Sequence, residues 1–253
     1  MRALPVAEFV GLPGSGKTTS VSQLRDALSS RGVFTLSEVR LRRSPEPLER
    51  RGMGARMLRG GWFAWHRARV LIHYRTRATA AVRALARSSR TFRNKRATFR
   101  RFAISLDNYD SLRSLRRSEE PASLVIINEG IAQNAFALFV NGPRDAVATR
   151  QEIDDFVEGV PVPDFLIFLR AQPKVCLERL HRRIPRGVVR RFEDLDPAAL
   201  EQAFAVGERV FDQVITGLER RGCTVLEIPA DTLALCAPGV WDDVAQRITG
   251  TAE

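Results

Sequence analysis

Short apolar runs recur along the chain, separated by longer stretches in which apolar positions return every three or four residues. The first run, Val6-Ala7-Glu8-Phe9-Val10, predicts a strand over 5–10. Beyond it Val21, Leu24 and Leu28 share one face of a helix that runs to about Ser30, and Gly32 supplies its stop. Val33 to Val39 predicts a second strand. The unbroken run Ser123-Leu124-Val125-Ile126-Ile127-Asn128 has the composition of a strand buried on both faces, and Pro163-Asp164-Phe165-Leu166-Ile167-Phe168-Leu169 is another. Helices are predicted over 173–183 and 197–221, the second closed by Gly222, then a strand over Thr224–Ile228 and a last helix over 238–249. Five strands alternating with helices predict an α/β fold with a doubly wound parallel sheet.

Residues 40–120 break this rhythm. Pro45 and Pro47 mark a loop, and Gly52, Gly54, Gly60 and Gly61 punctuate the residues after it. Two helices are then expected. Leu71, Ala78, Val82 and Leu85 would line the first, and Phe99, Phe102, Leu106, Tyr109 and Leu112 the second. The segment reads as a helical insertion or extended lid within a single domain spanning 1–253.

Charge sharpens this division. Between residues 40 and 117, 22 Lys and Arg face four acids, a surplus of 18, so a chain of net charge +11 carries −7 elsewhere. Lys occurs only at positions 17, 95 and 174, so the surplus is almost wholly Arg. Three scattered cysteines (Cys176, Cys223, Cys236) fit reduced thiols and argue against a disulfide framework or a zinc site. His66, His73 and His181 are too dispersed for a metal cluster. No run approaches the roughly 18 apolar residues of a membrane span. The first strand begins almost at once, so no secretory leader is expected, and the location expected is cytoplasmic.

Between the first strand and the first helix stands Gly11-Leu12-Pro13-Gly14-Ser15-Gly16-Lys17-Thr18, which satisfies G-x-x-x-x-G-K-[ST] at every fixed position. Strand, glycine-rich turn and helix are the context that this motif requires. Glycines let backbone N–H groups converge on phosphate oxygens, and the helix N-terminus adds partial positive charge. Gly11, Pro13, Gly14, Ser15, Gly16, Lys17, Thr18 and Thr19 are the expected nucleotide-binding residues. Lys17 would reach the β- and γ-phosphates of ATP, and the Thr18 hydroxyl would ligate Mg²⁺.

Phosphoryl transfer also needs a carboxylate to hold Mg²⁺ or to take the acceptor's proton. Glu129, at the end of an apolar strand, is the first candidate for either role. Glu38, at the end of the second strand, is another for the base. Asp107 and Asp110 are carboxylates of the insertion with no assigned place. Arg179-Leu180-His181-Arg182-Arg183-Ile184-Pro185-Arg186, continuing to Arg190 and Arg191, offers cations for the transferring group. Arg182, Arg183 and Arg186 are its lid candidates. Arg170 ends a strand on the same side of the sheet.

These pieces resemble the P-loop kinases of the thymidylate kinase and deoxynucleoside kinase group. The resemblance rests on Gly11–Thr18, on the strand ending Asn128-Glu129-Gly130, and on residues 163–169 running into Cys176-Leu177-Glu178-Arg179-Leu180-His181-Arg182-Arg183. It covers about residues 1–40 and 120–250. It implies a five-stranded parallel sheet in the order 2-3-1-4-5, MgATP as donor, an arginine-bearing lid, and adenine contacts from the Pro229–Pro238 loop. The chain departs from the family at one point. The third strand of those kinases ends in Asp-Arg or Glu-Arg, whereas here Gly130 succeeds Glu129.

The expectation is therefore an ATP-dependent phosphotransferase acting on a hydroxyl of a small molecule such as a sugar, a glycolipid head or an antibiotic. A nucleoside or nucleoside-monophosphate kinase is the alternative within that class. An ATP-gated switch that binds membrane or nucleic acid is the alternative outside it. No guanine-reading Asn-Lys-x-Asp stretch is present. Four readings of the basic insertion stay open: an acceptor site, an anionic membrane surface met by the helices of 60–117, a nucleic-acid contact, or an Arg-solvated helical pair whose aromatic residues pack on the core.

Overall fold

The computed structural model describes residues 4–37, 75–87, 92–115, 124–140, 148–182, 196–230 and 239–250. Within them lie five strands: β1 (Val6–Gly11), β2 (Thr35–Ser37), β3 (Leu124–Ile127), β4 (Phe165–Arg170) and β5 (Thr224–Pro229). The helices are α1 (Lys17–Ser30), α2 (Arg75–Arg87), α3 (Phe92–Leu115), α4 (Ile131–Phe139), α5 (Arg150–Gly159), α6 (Pro173–His181), α7 (Pro197–Arg220) and α8 (Val240–Gly250). The sheet order is β2-β3-β1-β4-β5, every pair parallel, as the resemblance implies. β1 is central, and all six of its residues are buried.

Side chains of a strand point alternately to its two faces, and β1 uses both. Phe9 meets Trp241 of α8, ring centroids 6.2 Å apart, on the face covered by α1 and α8. Glu8 points the other way, toward α3 and α4. On that second face Phe136 of α4 stacks on Phe211 of α7 at 5.8 Å, and Phe168 of β4 lies 6.3 Å from Phe211. α5 fills the flank, where Phe156 takes Phe139 of α4 edge-on and touches Phe102 of α3.

Helices α2 and α3 contribute to this same buried cluster. Phe102, Leu106, Tyr109 and Leu112 of α3 are buried, as their spacing predicts, and Phe99 packs against them. In α2 the buried face is Ala81, Ala84 and Leu85. Val82, placed on that face by the sequence spacing, is instead 49 % exposed. The small alanines bring α2 close to α5 and α4 and turn Val82 outward.

Two helices lie beyond the sequence expectation, α4 and α5. α5 opens with a capping box: Thr149 N donates to Glu152 Oε2 at 2.9 Å, and Glu152 N donates to Thr149 Oγ1 at 3.3 Å. β2 is shorter than the expected 33–39. Glu38 lies outside the described residues, as do Arg183, Arg186, residues 40–74 and most of the Pro229–Pro238 loop.

No described helix is long and apolar enough to cross a membrane.

Candidate active site

Five parallel strands present their carboxyl ends to one edge of the sheet, and ligands of such folds bind there. β1 runs into the glycine-rich loop at this edge. Gly14 (φ 89°) and Gly16 (φ 100°) hold left-handed conformations, and Ser15 N–H donates to Leu12 O at 3.0 Å to close the turn. Gly14 also has no room for a side chain, since a Cβ there would lie 2.6 Å from the Cys176 carbonyl oxygen of α6. Gly16 caps α1 without a side chain, and the first turn of α1 carries no acid. The loop thus ends in an uncapped helix N-terminus, where backbone donors and dipole both favour an anion.

Lys17 crosses the mouth of the loop. Its Nζ donates to Gly11 O at 2.8 Å and to Leu12 O at 3.1 Å. These carbonyls fix the ammonium at the mouth of the loop. Thr18 and Thr19 are exposed, whereas Ser15 is buried and its Oγ has no hydrogen-bond partner among the described residues. Arg179, first in the basic run but not one of its lid candidates, braces the loop from outside. Its guanidinium donates to Gly14 O at 3.3 Å and to Ala230 O at 3.1 Å, tying the loop to the end of β5. Beneath this contact lies Cys176, whose thiol is pushed up to about 11 by burial against the lowering effect of Lys17 and Arg179.

Glu129 comes to the same edge from β3. Glu8 pairs with Ile127 in the β1–β3 register, so the Asn128-Glu129-Gly130 turn begins beside the last residues of β1. The Glu129 side chain is exposed. Its backbone is fixed from below: Ser105 Oγ of α3 donates to Glu129 O at 3.5 Å, and Asn134 Nδ2 donates to Gly130 O at 2.6 Å.

Gly130 is a glycine because of Glu8. A Cβ at 130 would fall 2.2 Å from Glu8 Cδ. Glu8 is wholly buried and cannot swing aside, because Tyr109 Oη donates to its Oε2 at 2.8 Å and Gln133 N–H donates to its Oε1 at 3.2 Å. Burial pushes the Glu8 carboxyl up to about 7, opposed by the Tyr109 hydroxyl and by backbone donors at the start of α4. Sequence reasoning passed over Glu8. The signal was a lone acid in an apolar run entering the loop, since a charge in a central strand must find buried donors. Gly130→Ala is expected to destabilise the protein by about 1–3 kcal/mol through overpacking. Pairing it with Glu8→Ala in urea unfolding should recover much of that loss, and simple additivity of the two would dismiss the contact as the cause.

The remaining candidates are dispersed. Arg182 is exposed at the C-terminus of α6. Arg170 does not open into the cleft: it pairs with Glu227 and with Asp212 (2.9 Å) and lies over the Phe168 ring at 4.7 Å, so its charge is engaged on the surface. Asp107 is half-buried on α3. No group of three or more His, Cys, Asp and Glu arranged to hold a metal occurs among the described residues. Thr18 and Glu129 are hard oxygen donors, and a pair of these is what Mg²⁺ takes from a protein when phosphates and waters complete its shell.

A glycine-rich phosphate loop after the central strand of a parallel 2-3-1-4-5 sheet defines the fold of the P-loop kinases. No protein-family model matches the chain, and no curated protein does. Among solved structures it is similar to the deoxyadenosine kinase of M. mycoides. With the products dCMP and a flexible dCDP bound, that protein is 10% identical, with a TM-score of 0.49. With dATP bound the figures are 13% and 0.48, and with dCTP bound 9% and 0.40. Each match covers 97% of this chain and 99% of the other.

Proposed function

We propose that the protein is an ATP-dependent phosphotransferase acting on a hydroxyl of a small molecule. The observation that carries this reading is the loop itself: left-handed Gly14 and Gly16, an uncapped α1, and Lys17 Nζ held across the Gly11 and Leu12 carbonyls. In this mechanism the backbone N–H groups of residues 14–18 cradle the phosphates, and Lys17 leaves its carbonyl partners to reach the β- and γ-phosphates. Thr18 and Glu129 are the residues that would hold Mg²⁺, which when bound would offset the negative charge of the phosphates. Where it does not serve the metal, Glu129 is the base that takes the hydroxyl proton as that oxygen attacks. Arg182, with Arg183 and Arg186 beyond it in sequence, supplies positive charge to the transferring group, and Arg179 keeps the loop in shape. Glu38 is the second candidate for that base.

Position 130 favours an uncharged acceptor group. With Glu8 seated beneath Gly130, no side chain at 130 can carry a cation to an acceptor phosphate. The test is transfer from γ-labelled ATP to a panel of nucleosides, nucleoside monophosphates, sugars and aminoglycosides. One acceptor should be labelled, and Lys17→Ala should lower the rate by at least about 10². Labelling of a monophosphate alone would refute the uncharged-acceptor reading. Transfer that survives Lys17→Ala would refute the role of the loop.

A further inference from the structure

The Glu8 carboxylate touches no substrate in the mechanism above, yet three elements meet on it. Tyr109 comes from the insertion helix α3, Glu8 from β1, and the Gln133 N–H from the first turn of α4. Gln133 then reaches the phosphate loop, where its Oε1 accepts the Gly11 N–H at 3.1 Å. A continuous path of hydrogen bonds thus runs Tyr109–Glu8–Gln133–Gly11. One turn before Tyr109 on α3, Ser105 accepts from Asn134 Nδ2 at 2.8 Å and ties the same helix to the Glu129–Gly130 turn. Glu8, Ser105, Tyr109 and Asn134 are all buried, so water does not stand in for a broken Tyr109–Glu8 or Ser105–Asn134 link, while Gln133 is half-buried.

We propose that Glu8 is a positioning residue that couples the insertion helix α3 to the phosphate loop, so that the seating of Tyr109 sets the loop's affinity for nucleotide phosphates. The inference rests on the reading of Gly11–Thr18 as the nucleotide site. If α3 withdraws, Oε2 of Glu8 loses its donor in an apolar surrounding, and the carboxylate must reorganise around α4. Gln133 moves with its own N–H, and the Gly11 N–H loses its acceptor at the point where β1 becomes the loop. Coupling of this kind is reciprocal: nucleotide on the loop must hold α3 in place as strongly as α3 favours the nucleotide. Ligands that engage the basic insertion therefore alter nucleotide affinity without touching the loop.

The experiment uses the full chain with MgADP as probe. Equilibrium binding is measured alongside amide hydrogen exchange of residues 99–112. Failure of the wild type to bind MgADP overturns the nucleotide-site reading and this inference with it. Given binding, Tyr109→Phe should weaken it about five- to tenfold, and MgADP should slow exchange over 99–112 in the wild type but not in the variant. Phe102→Leu, a core change on α3 outside the path, should lower stability and leave affinity unmoved. Glu8→Gln retains an oxygen for Gln133 and an amide for the Tyr109 oxygen, and should bind as the wild type does. Unchanged affinity in Tyr109→Phe, or equal weakening in Phe102→Leu, overturns the coupling alone. Should Tyr109→Phe fail to fold, the wild-type exchange decides: no MgADP-dependent slowing over 99–112 overturns it.

Discussion

Glu129→Gln is expected to bind metal-free ADP as tightly as the wild type and, with MgATP, to transfer phosphate about 10²–10⁴ times more slowly. The substitution keeps the size and planarity of the side chain and removes its charge and basicity. The backbone of the surrounding turn is held independently of that side chain, by Ser105 Oγ on Glu129 O and by Asn134 Nδ2 on Gly130 O. The glycine-rich loop has anchors of its own: Ser15 N–H on Leu12 O, Arg179 on Gly14 O and the Gly11 N–H on Gln133 Oε1. A split between affinity and turnover therefore isolates the chemical step. Lys17→Ala should behave differently and lose both, since Lys17 meets the phosphates in the ground state as well. Single-turnover rates beside equilibrium binding separate the cases. Wild-type turnover in Glu129→Gln would remove this residue from the mechanism and leave Glu38 as the carboxylate to test.

The parts of the site that were legible in the sequence are those in which local chemistry dictates local geometry. A left-handed turn that wraps an anion demands glycines at fixed spacing, so Gly11–Thr18 announces itself. Buried parallel strands are apolar on both faces, so β1, β3 and β4 do too. α4 escaped for a related reason. Ile-Ala-Gln-Asn-Ala-Phe-Ala-Leu-Phe is enclosed by β1, α3 and α7, so its apolar residues circle the helix and leave no stripe to count. α5 did carry a readable signal, the Thr149–Glu152 capping box. Long-range partners were beyond reach. Arg170 ends its strand where a cleft residue would, but Asp212 and Glu227, distant in sequence, fold back onto it. Likewise Gly130 reads as a missing side chain until Glu8, on another strand, is seen to occupy the space.

The same pair makes stability depend on pH in an unusual direction. Most carboxylates that find partners stabilise a fold more as pH rises. Glu8 is expected to do the opposite. Its carboxyl titrates near 4.5 when exposed and is pushed up to about 7 in the fold, chiefly by burial, with the Tyr109 hydroxyl and the N–H groups of Gln133, Ala132 and Ile131 pulling the other way. Between these two values the folded chain keeps a proton that the unfolded chain has released. Stability from this group is thus fully present below about 4.5 and is lost as pH rises through about 7. The gap corresponds to about 3 kcal/mol. The groups around it do not reverse the sign. Tyr109 faces it from α3 and is itself pushed up by burial and by Glu8, while Cys223 and Asp164 lie on the β5 and β4 side, with Cys223 pushed up to about 12. Urea unfolding at pH 5 and pH 8, for the wild type and Glu8→Gln, isolates the effect because every other titration is common to both chains. The wild type should lose about 2.5 kcal/mol more than the variant across that interval. Equal losses would mean that Glu8 stays ionised, held by donors stronger than its burial. The predicted result would mean that near neutral pH the protein holds both forms of an acid whose hydrogen bonds reach the insertion helix on one side and, through Gln133, the phosphate loop on the other.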